Sequence, residues 1–539
     1  MICICRDTEE NGQRRGIRRH DDPAFSLHTK TFAAYRRTNT NAGLPVPHYD
    51  SGRADMNLFS EQLRAFISQK NASISQMAAF CGIDRSSMYK IVHGTRRPGS
   101  DALVRQIALF LKLSPEESGI LQEKYLILQN GQETYQRQKG IHAFMQTCFD
   151  DGPLPVPYNI EELFSFSLSD HQDSSMALRG KETILNVYGI ILQKEMEREN
   201  GLIRIRMQPE DRFMDLLLAL RCFRRKENGF RIQHIMSLDG SSLSEESTGV
   251  NLALIHAALP VCKAYLGYEL YYFHSNLRTE QQSFSFFPYI VITGDYALQI
   301  SRDLRFAILH NLPETVFFCA EMFSRVLSSC INMTAHVRDY RDLLFFGKQR
   351  NAGRGPVLLD MFPCMSFCLT PDLIDRYVIR ELPERSLLLS TFLDVIEQDR
   401  EYVTSSPALI LTSERGLRTF LETGLLPGYP SKLYEPIRPD DRILLLQRYR
   451  EIVRMRSVTF RIIRENFANT SSGSSVWMDD HCAYFLFQDR QLHHKYLFLR
   501  DPGILASLHS FFRNLREDLC LSQAQSLEIL DRLLREASE

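Results

Sequence analysis

SISQMAAFCGIDRSSMYKIVHGTRRP, residues Ser73 to Pro98, is the stretch on which the reading of the chain turns. Ser73 stands three residues before Gln76, the spacing at which a hydroxyl and an amide close the orphan N–H groups of a helix start. Ile74, Met77, Ala78 and Cys81 recur at three- and four-residue steps, which predicts one apolar stripe. Gly82 then supplies the left-handed residue that ends the helix, and Ile83 anchors the turn. Asp84 caps a second helix whose buried face is Met88, Ile91 and Val92. Arg85, Ser86, Ser87, Tyr89 and Lys90 are left facing outward, and Gly94 stops the helix ahead of Thr95, Arg96 and Arg97.

That outward set is made of hydrogen-bond donors. Arg and Lys reach guanine O6 and N7, and Ser and Tyr bond bases or phosphates, which suits a helix lying in a major groove. Helical patterns flank it. A first helix is expected from about Leu58 to Lys70, burying Leu58, Leu63, Phe66 and Ile67. Ser100 opens a fourth with Leu103, Val104, Ile107 and Leu111 inward, and Ser114, Pro115 and Glu117 open a fifth. An all-α five-helix DNA-binding domain over residues 56–130 is the reading.

Residues 57–128 resemble the lambda-repressor-like, Cro-type helix-turn-helix family, also called the xenobiotic-response-element family, through Ala78, Gly82, Ile83, Ser86, Ile91, Gly94, Arg96 and Pro98. Ile74 stands where that family often carries a Gln that braces a phosphate or base. The resemblance implies a transcriptional regulator that binds a double-stranded DNA operator through the helix starting at Asp84, as a homodimer. Arg85, Ser86, Ser87, Tyr89 and Lys90 are expected to read bases, and Ser73, Arg96 and Arg97 to hold phosphates.

Composition bounds the rest. The chain has 539 residues, room for about three domains. A formal charge of −1 means that nucleic-acid affinity must come from a local basic face. Four cations, Arg85, Lys90, Arg96 and Arg97, cluster where a groove and its phosphates would lie. Twelve cysteines without regular spacing read as reduced core residues, which implies a cytoplasmic protein. No apolar run approaches the roughly 18 residues of a membrane span, so no membrane partner is expected.

In chain order, residues 1–55 mix Arg pairs with Asn, Thr, Gly and Pro and read as a disordered arm; Met56 offers a second place for synthesis to begin. Residues 131–158 read as a helical extension closed by the linker DGPLPVPY, Asp151 to Tyr158. Beyond it helical and strand-like segments alternate, which predicts a large α/β or α+β region, hence a multidomain chain. Helices are expected at Lys181 to Glu199 and Asp211 to Lys226, and strands at Leu202 to Met207, Phe230 to Ser237, Tyr289 to Thr293, Tyr296 to Ile300 and Phe306 to Leu309. A long helix to about Asp342 should follow. Pro209, Asp211, Arg212, Leu216, Arg224, Phe230, Arg231 and Ile232 recur 230 positions on, and Phe306 to Phe323 has a looser counterpart at Tyr496 to Phe512. Two similar effector lobes, 159–350 and 351–539, joined at Gly353 to Pro356, are the reading.

Other chemistry is weaker. His493, Lys495 and Asp501 miss by one residue the His-x-Lys-x4-Asp spacing that resembles the phospholipase D superfamily, and Asp303 and Arg305 stand at the aligned places of the first lobe. Two histidines are needed there, one as nucleophile and one as acid, so an enzyme is not expected; phosphodiesterase-like catalysis and a protein-interaction scaffold are the alternatives. Asp479, Asp480, His481, Cys482, His493 and His494 lack metal-ligand spacing, and no cofactor or metal is expected. The aromatic run Tyr268, Tyr271, Tyr272 and Phe273 with Phe284, Phe286, Phe287 and Tyr289 is the expected place for a pocket taking a small-molecule effector.

Overall fold

The computed structural model describes residues 51–150, 175–223, 229–240, 245–277, 285–337, 353–429, 431–469, 473–488 and 494–539. Among them the chain forms sixteen α-helices and two mixed sheets, a multidomain α/β architecture. It divides into two compact units, Met1–Arg97 and Pro98–Glu539.

The described part of the first unit is helical: α1 (Ser51–Gln69), α2 (Ile74–Phe80) and α3 (Arg85–Val92). α1 begins inside the stretch read as an arm, the rest of which lies outside the described residues. Its inward side is Phe59, Leu63 and Phe66, at four- and three-residue steps, whereas Leu58 sits a turn-fraction away and is 42% exposed.

The five helices expected as one domain over residues 56–130 are divided between the units. α4 (Asp101–Phe110) and α5 (Pro115–Asn130) belong to the second, where Ser100 and Ser114 cap them as their spacing predicts, the latter in a full capping box with Glu117. α6 (Gln132–Phe149) follows, and its Ile141, Phe144, Met145, Cys148 and Phe149 are buried in the core of the sheets. A helix that buries five apolar side chains is part of that body, not an extension from it.

The first sheet holds β1 (Ser175–Arg179), β2 (Leu202–Arg206), β3 (Arg231–Asp239), β4 (Tyr268–Ser275), β5 (Tyr289–Ile292), β6 (Ala297–Ile300), β7 (Phe306–His310) and β8 (Ile331–Asn332), in the order β1-β7-β6-β5-β2-β3-β4-β8. The second holds β9 (Thr334–Val337), β10 (Val357–Asp360), β11 (Ala408–Ser413), β12 (Val458–Ile463), β13 (Ser475–Met478), β14 (Ala483–Gln488) and β15 (His494–Leu499), in the order β12-β11-β10-β13-β14-β15-β9. In each, three parallel strands (β2, β3, β4; β10, β11, β12) adjoin three antiparallel ones, and the first strand in sequence pairs with the last of those three, β1 with β7 and β9 with β15; the first sheet adds β8 on the free edge of β4. The parallel strands β10 and β11 are buried at every residue, apolar at first and ending in the buried polar residues Asp360, Thr412 and Ser413.

Helices connect the parallel strands: α7 (Lys181–Met196) precedes β2; α8 (Asp211–Ala219) and α9 (Glu245–Ala264) follow β2 and β3; α11 (Pro371–Tyr377), α12 (Arg385–Thr404), α13 (Glu414–Thr423) and α14 (Pro439–Val453) serve the second sheet. α10 (Pro313–Leu327) follows β7, and α15 (Pro502–Arg513) and α16 (Gln523–Ser538) close the chain. The 230-residue correspondence therefore joins α8 and β3, the middle parallel strand, to α14 and β12, the outer one. The looser match joins β7–α10 to β15–α15, which occupy the same station in strand order.

The helix expected to reach Asp342 ends at Leu327. Ser328 and Ser329 turn their hydroxyls back onto the carbonyls of Arg325 (2.7 Å) and Val326 (2.8 Å), and the chain then enters β8 and β9. Met333 is the crossing point. Its N–H donates to Leu270 in the first sheet (2.8 Å), and its carbonyl accepts from Phe498 in the second (2.7 Å). The chain thus passes between sheets ahead of the Gly353–Pro356 corner where the lobes were expected to meet, because the edge of β15 takes β9 as a partner.

One core is common to both sheets and to α6, α9 and α15. A second lies on the other face of the second sheet under α11 to α14 and α16, and a small third packs α10 on Ile235, Ile292 and Ala297.

Candidate nucleic-acid interface

Ser73 Oγ accepts from the Gln76 N–H at 3.5 Å, and Asp84 Oδ1 from the Ser87 N–H at 2.8 Å, so both short helices start on side-chain caps. The Ser87 side chain and N–H hold the Asp84 carboxyl below the usual carboxylate range. Gly82 (φ +67°) and Gly94 (φ +71°) take the left-handed conformation that ends each helix. Met77 and Ala78 of α2 and Met88, Ile91 and Val92 of α3 are buried. Removing the cap in Asp84→Ala is expected to speed amide exchange across Arg85–Val92 several-fold in the full-length chain. Unchanged protection there would remove the cap from the account.

Arg85, Ser86, Tyr89 and Lys90 are exposed, Tyr89 at 54%, and form one polar ridge on α3. Ser87 is half-buried, because Arg96 Nη1 donates to its Oγ at 2.7 Å. A residue expected to read bases and one expected to hold phosphate thus bond each other, a pairing over nine positions that spacing did not suggest. The Thr95 N–H donates to the Lys90 carbonyl (2.8 Å), which turns the chain back along the end of α3. Arg97 and Ser73 are exposed, and the Tyr89 ring lies 4.0 Å from that of His93. Phe80, at the end of α2, is an exposed apolar side chain, 51% accessible, that the sequence pattern does not single out.

The described residues with phospholipase-like spacing are held by hydrogen bonds within the fold. His493 lies outside the described residues. Lys495 is buried, and its Nζ donates to the carbonyls of Cys262 (2.6 Å), Tyr265 (2.8 Å) and Tyr268 (2.9 Å); burial holds its pKa below that of an ordinary lysine. Asp501 caps α15 through the Ile504 N–H (2.9 Å) and accepts from Asn251 (3.2 Å). Asp303 accepts from the Ser301 hydroxyl (2.6 Å) and the Arg305 N–H (3.1 Å) in a turn. These groups join elements of the fold.

The β4 part of the aromatic run expected to form a pocket, Tyr268, Tyr271, Tyr272 and Phe273, is core instead. Tyr268 and Tyr272 are buried, Tyr271 and Phe273 pack on the α10 cluster, Phe286 is 83% exposed, and Phe284 lies outside the described residues. Strand alternation sends its members to opposite faces of β4, so they cannot line one cavity. A cavity of about 680 Å³ lies over the second sheet.

Asp479 Oδ1 accepts from the N–H groups of His481 (2.8 Å) and Cys482 (3.0 Å), closing a turn in the stretch weighed as a metal site. Among the described residues no three His, Cys, Asp or Glu side chains converge to hold a metal ion. The nine cysteines whose side chains are described are free thiols, and burial pushes those of Cys148 and Cys262 up. No described helix is long and apolar enough to cross a membrane.

No family model matches the chain, and no curated protein does. Among solved structures it is similar to that of TrmBL2, an archaeal chromatin protein described as showing a novel mode of DNA binding, at 10% identity over 51% of this chain and 94% of that one, with a TM-score of 0.18. It is also similar to phosphatidylserine synthase of Haemophilus influenzae Rd KW20, at 10% identity over 68% and 92% of the two chains, with a TM-score of 0.21. Both likenesses are weak, and neither places the chain in a family.

Proposed function

We propose that this chain is a sequence-specific DNA-binding transcriptional regulator of the lambda-repressor-like helix-turn-helix kind, working in the cytoplasm as a homodimer on an operator. The observation that carries the reading is the exposed ridge of Arg85, Ser86, Tyr89 and Lys90 on a helix whose opposite side, Met88, Ile91 and Val92, is buried. One such helix spans too few base pairs to find a site in a genome, and pairing two of them about 34 Å apart solves this. The Ser87–Arg96 bond fits a bracing role, with Arg96 held near a phosphate and Ser87 aligning it. In the same reading the α/β region senses an effector and dimerises, and its two sheets of matching strand order are a duplication.

Binding titrations on the DNA flanking the coding region, against random duplex, test it. Arg85→Ala is expected to lose about 1 to 3 kcal/mol of discrimination, while Arg97→Ala weakens all sequences alike and lowers the salt slope by about 1. Equal loss of specific and random binding in Arg85→Ala would count against base reading by α3.

A further inference from the structure

The two sheets share strand order but differ in what covers them. α10, after β7, packs over the face of the first sheet turned away from the common core, on Ile235, Ile292 and Ala297. α15, after β15, is itself part of the common core through Ile504, Leu508 and Phe512. On the corresponding face of the second sheet α11 to α14 and α16 cover part of the area, and beside them, over the antiparallel strands, lies a cavity. Its floor is Trp477 of β13, Tyr484 and Leu486 of β14, and Tyr496 and Phe498 of β15; α12 walls it with Phe392, Asp399 and Tyr402. About 680 Å³ is the size of a small-molecule site.

The lining has two chemical characters. Aromatic faces dominate: the rings of Tyr402 and Trp477 are parallel within 8° at 6.5 Å, and those of Tyr484, Tyr496 and Phe498 lie 6.1 to 6.4 Å apart. The buried charged residues are carboxylates, 7%, 2% and 5% exposed at Asp360, Asp399 and Asp479, and each is held by hydrogen bonds, Asp360 by Trp477 Nε1 (3.0 and 3.1 Å), Asp399 by the Ser366 hydroxyl (2.7 Å) and Asp479 by the His481 N–H (2.8 Å). The cations among the described lining residues, Arg354 and Arg500, are exposed, as is His481. Buried negative charge beside several π-faces attracts a positive ligand through both Coulombic and quadrupole terms, and it repels an anion of the same shape.

We propose that this cavity binds a small organic cation, a protonated or quaternary amine on a flat apolar or aromatic body. The body lies on the Trp477–Tyr402 side, and the ammonium faces Asp399 and Asp360. This gives the sensing role proposed above its ligand class; binding is measured without DNA, so the two readings fail separately.

The test is calorimetry on the full chain with tryptamine and phenyltrimethylammonium, against indole and indole-3-acetate as ring-matched neutral and anionic probes. At least one cation is expected to bind saturably at one site per chain, at least tenfold more tightly than indole, with no measurable heat from indole-3-acetate. Asp399→Asn should weaken the cation at least tenfold and leave indole unchanged. Asp399 accepts from Ser366, so if that variant loses its far-ultraviolet circular dichroism, Tyr402→Ala replaces it, with weaker cation binding expected. No binding by either cation, an indole-3-acetate affinity equal to theirs, or wild-type affinity in the folded variant used would overturn the proposal.

Discussion

Lys495→Met is expected to destabilise the α/β unit by about 3 kcal/mol, the balance of three lost charge-assisted hydrogen bonds and a relieved desolvation cost. The ammonium, carried on β15 of the second sheet, meets the carbonyls of Cys262 and Tyr265 at the end of α9 and of Tyr268 at the start of β4. The last carbonyls of a helix have no partner within it and carry the negative end of its dipole, so a cation is the favoured group there. Methionine has similar length and no donor. Trp477, the only tryptophan of the chain, sits in the second sheet, so its fluorescence reports urea unfolding of that part. A midpoint unchanged in Lys495→Met would show that these bonds contribute nothing net.

The second large effect is loss of stability in acid through His234. Its ring is fully buried; Nδ1 accepts from the Tyr268 hydroxyl at 2.5 Å, and Nε2 donates to the Met207 carbonyl at 3.0 Å. Burial lowers its pKa from 6.5 to about 4. Between those two values the unfolded chain holds a proton that the folded chain refuses, so stability rises with pH across the window. The contribution is complete above pH 6.5 and is lost as pH falls toward 4, amounting to about 3 kcal/mol. His142 and His256, lowered first by burial, push the same way. Urea midpoints from pH 7.5 to 4 should fall more steeply for the wild type than for His234→Gln. Parallel slopes would exonerate His234.

What the sequence revealed was local. The caps at Ser73, Asp84, Ser100 and Ser114 depend on residues three positions apart, and all four form as spacing predicts. The segments of β2, β3, β5, β6 and β7 were legible because apolar content and alternation mark them without knowledge of their partners. Range defeated the rest. The ridge on α3 was readable from the positions of Met88, Ile91 and Val92, yet the Arg96–Ser87 bond depends on the turn after Gly94. The four residues of β9 look like the tail of α10 until the edge of β15 is there to receive them. Lys495 resembled chemistry because its partners are more than two hundred residues away in sequence. The cavity over the second sheet depends on where α15 goes, which no local pattern encodes.

The crossing at Met333 has a practical corollary. Thr334–Val337 is upstream chain serving as the border of the downstream sheet. A gene cut at Gly353 would leave the upstream piece with a protruding tab and the downstream piece with the matching slot along β15. Halves made this way are expected to reassemble through that tab and slot.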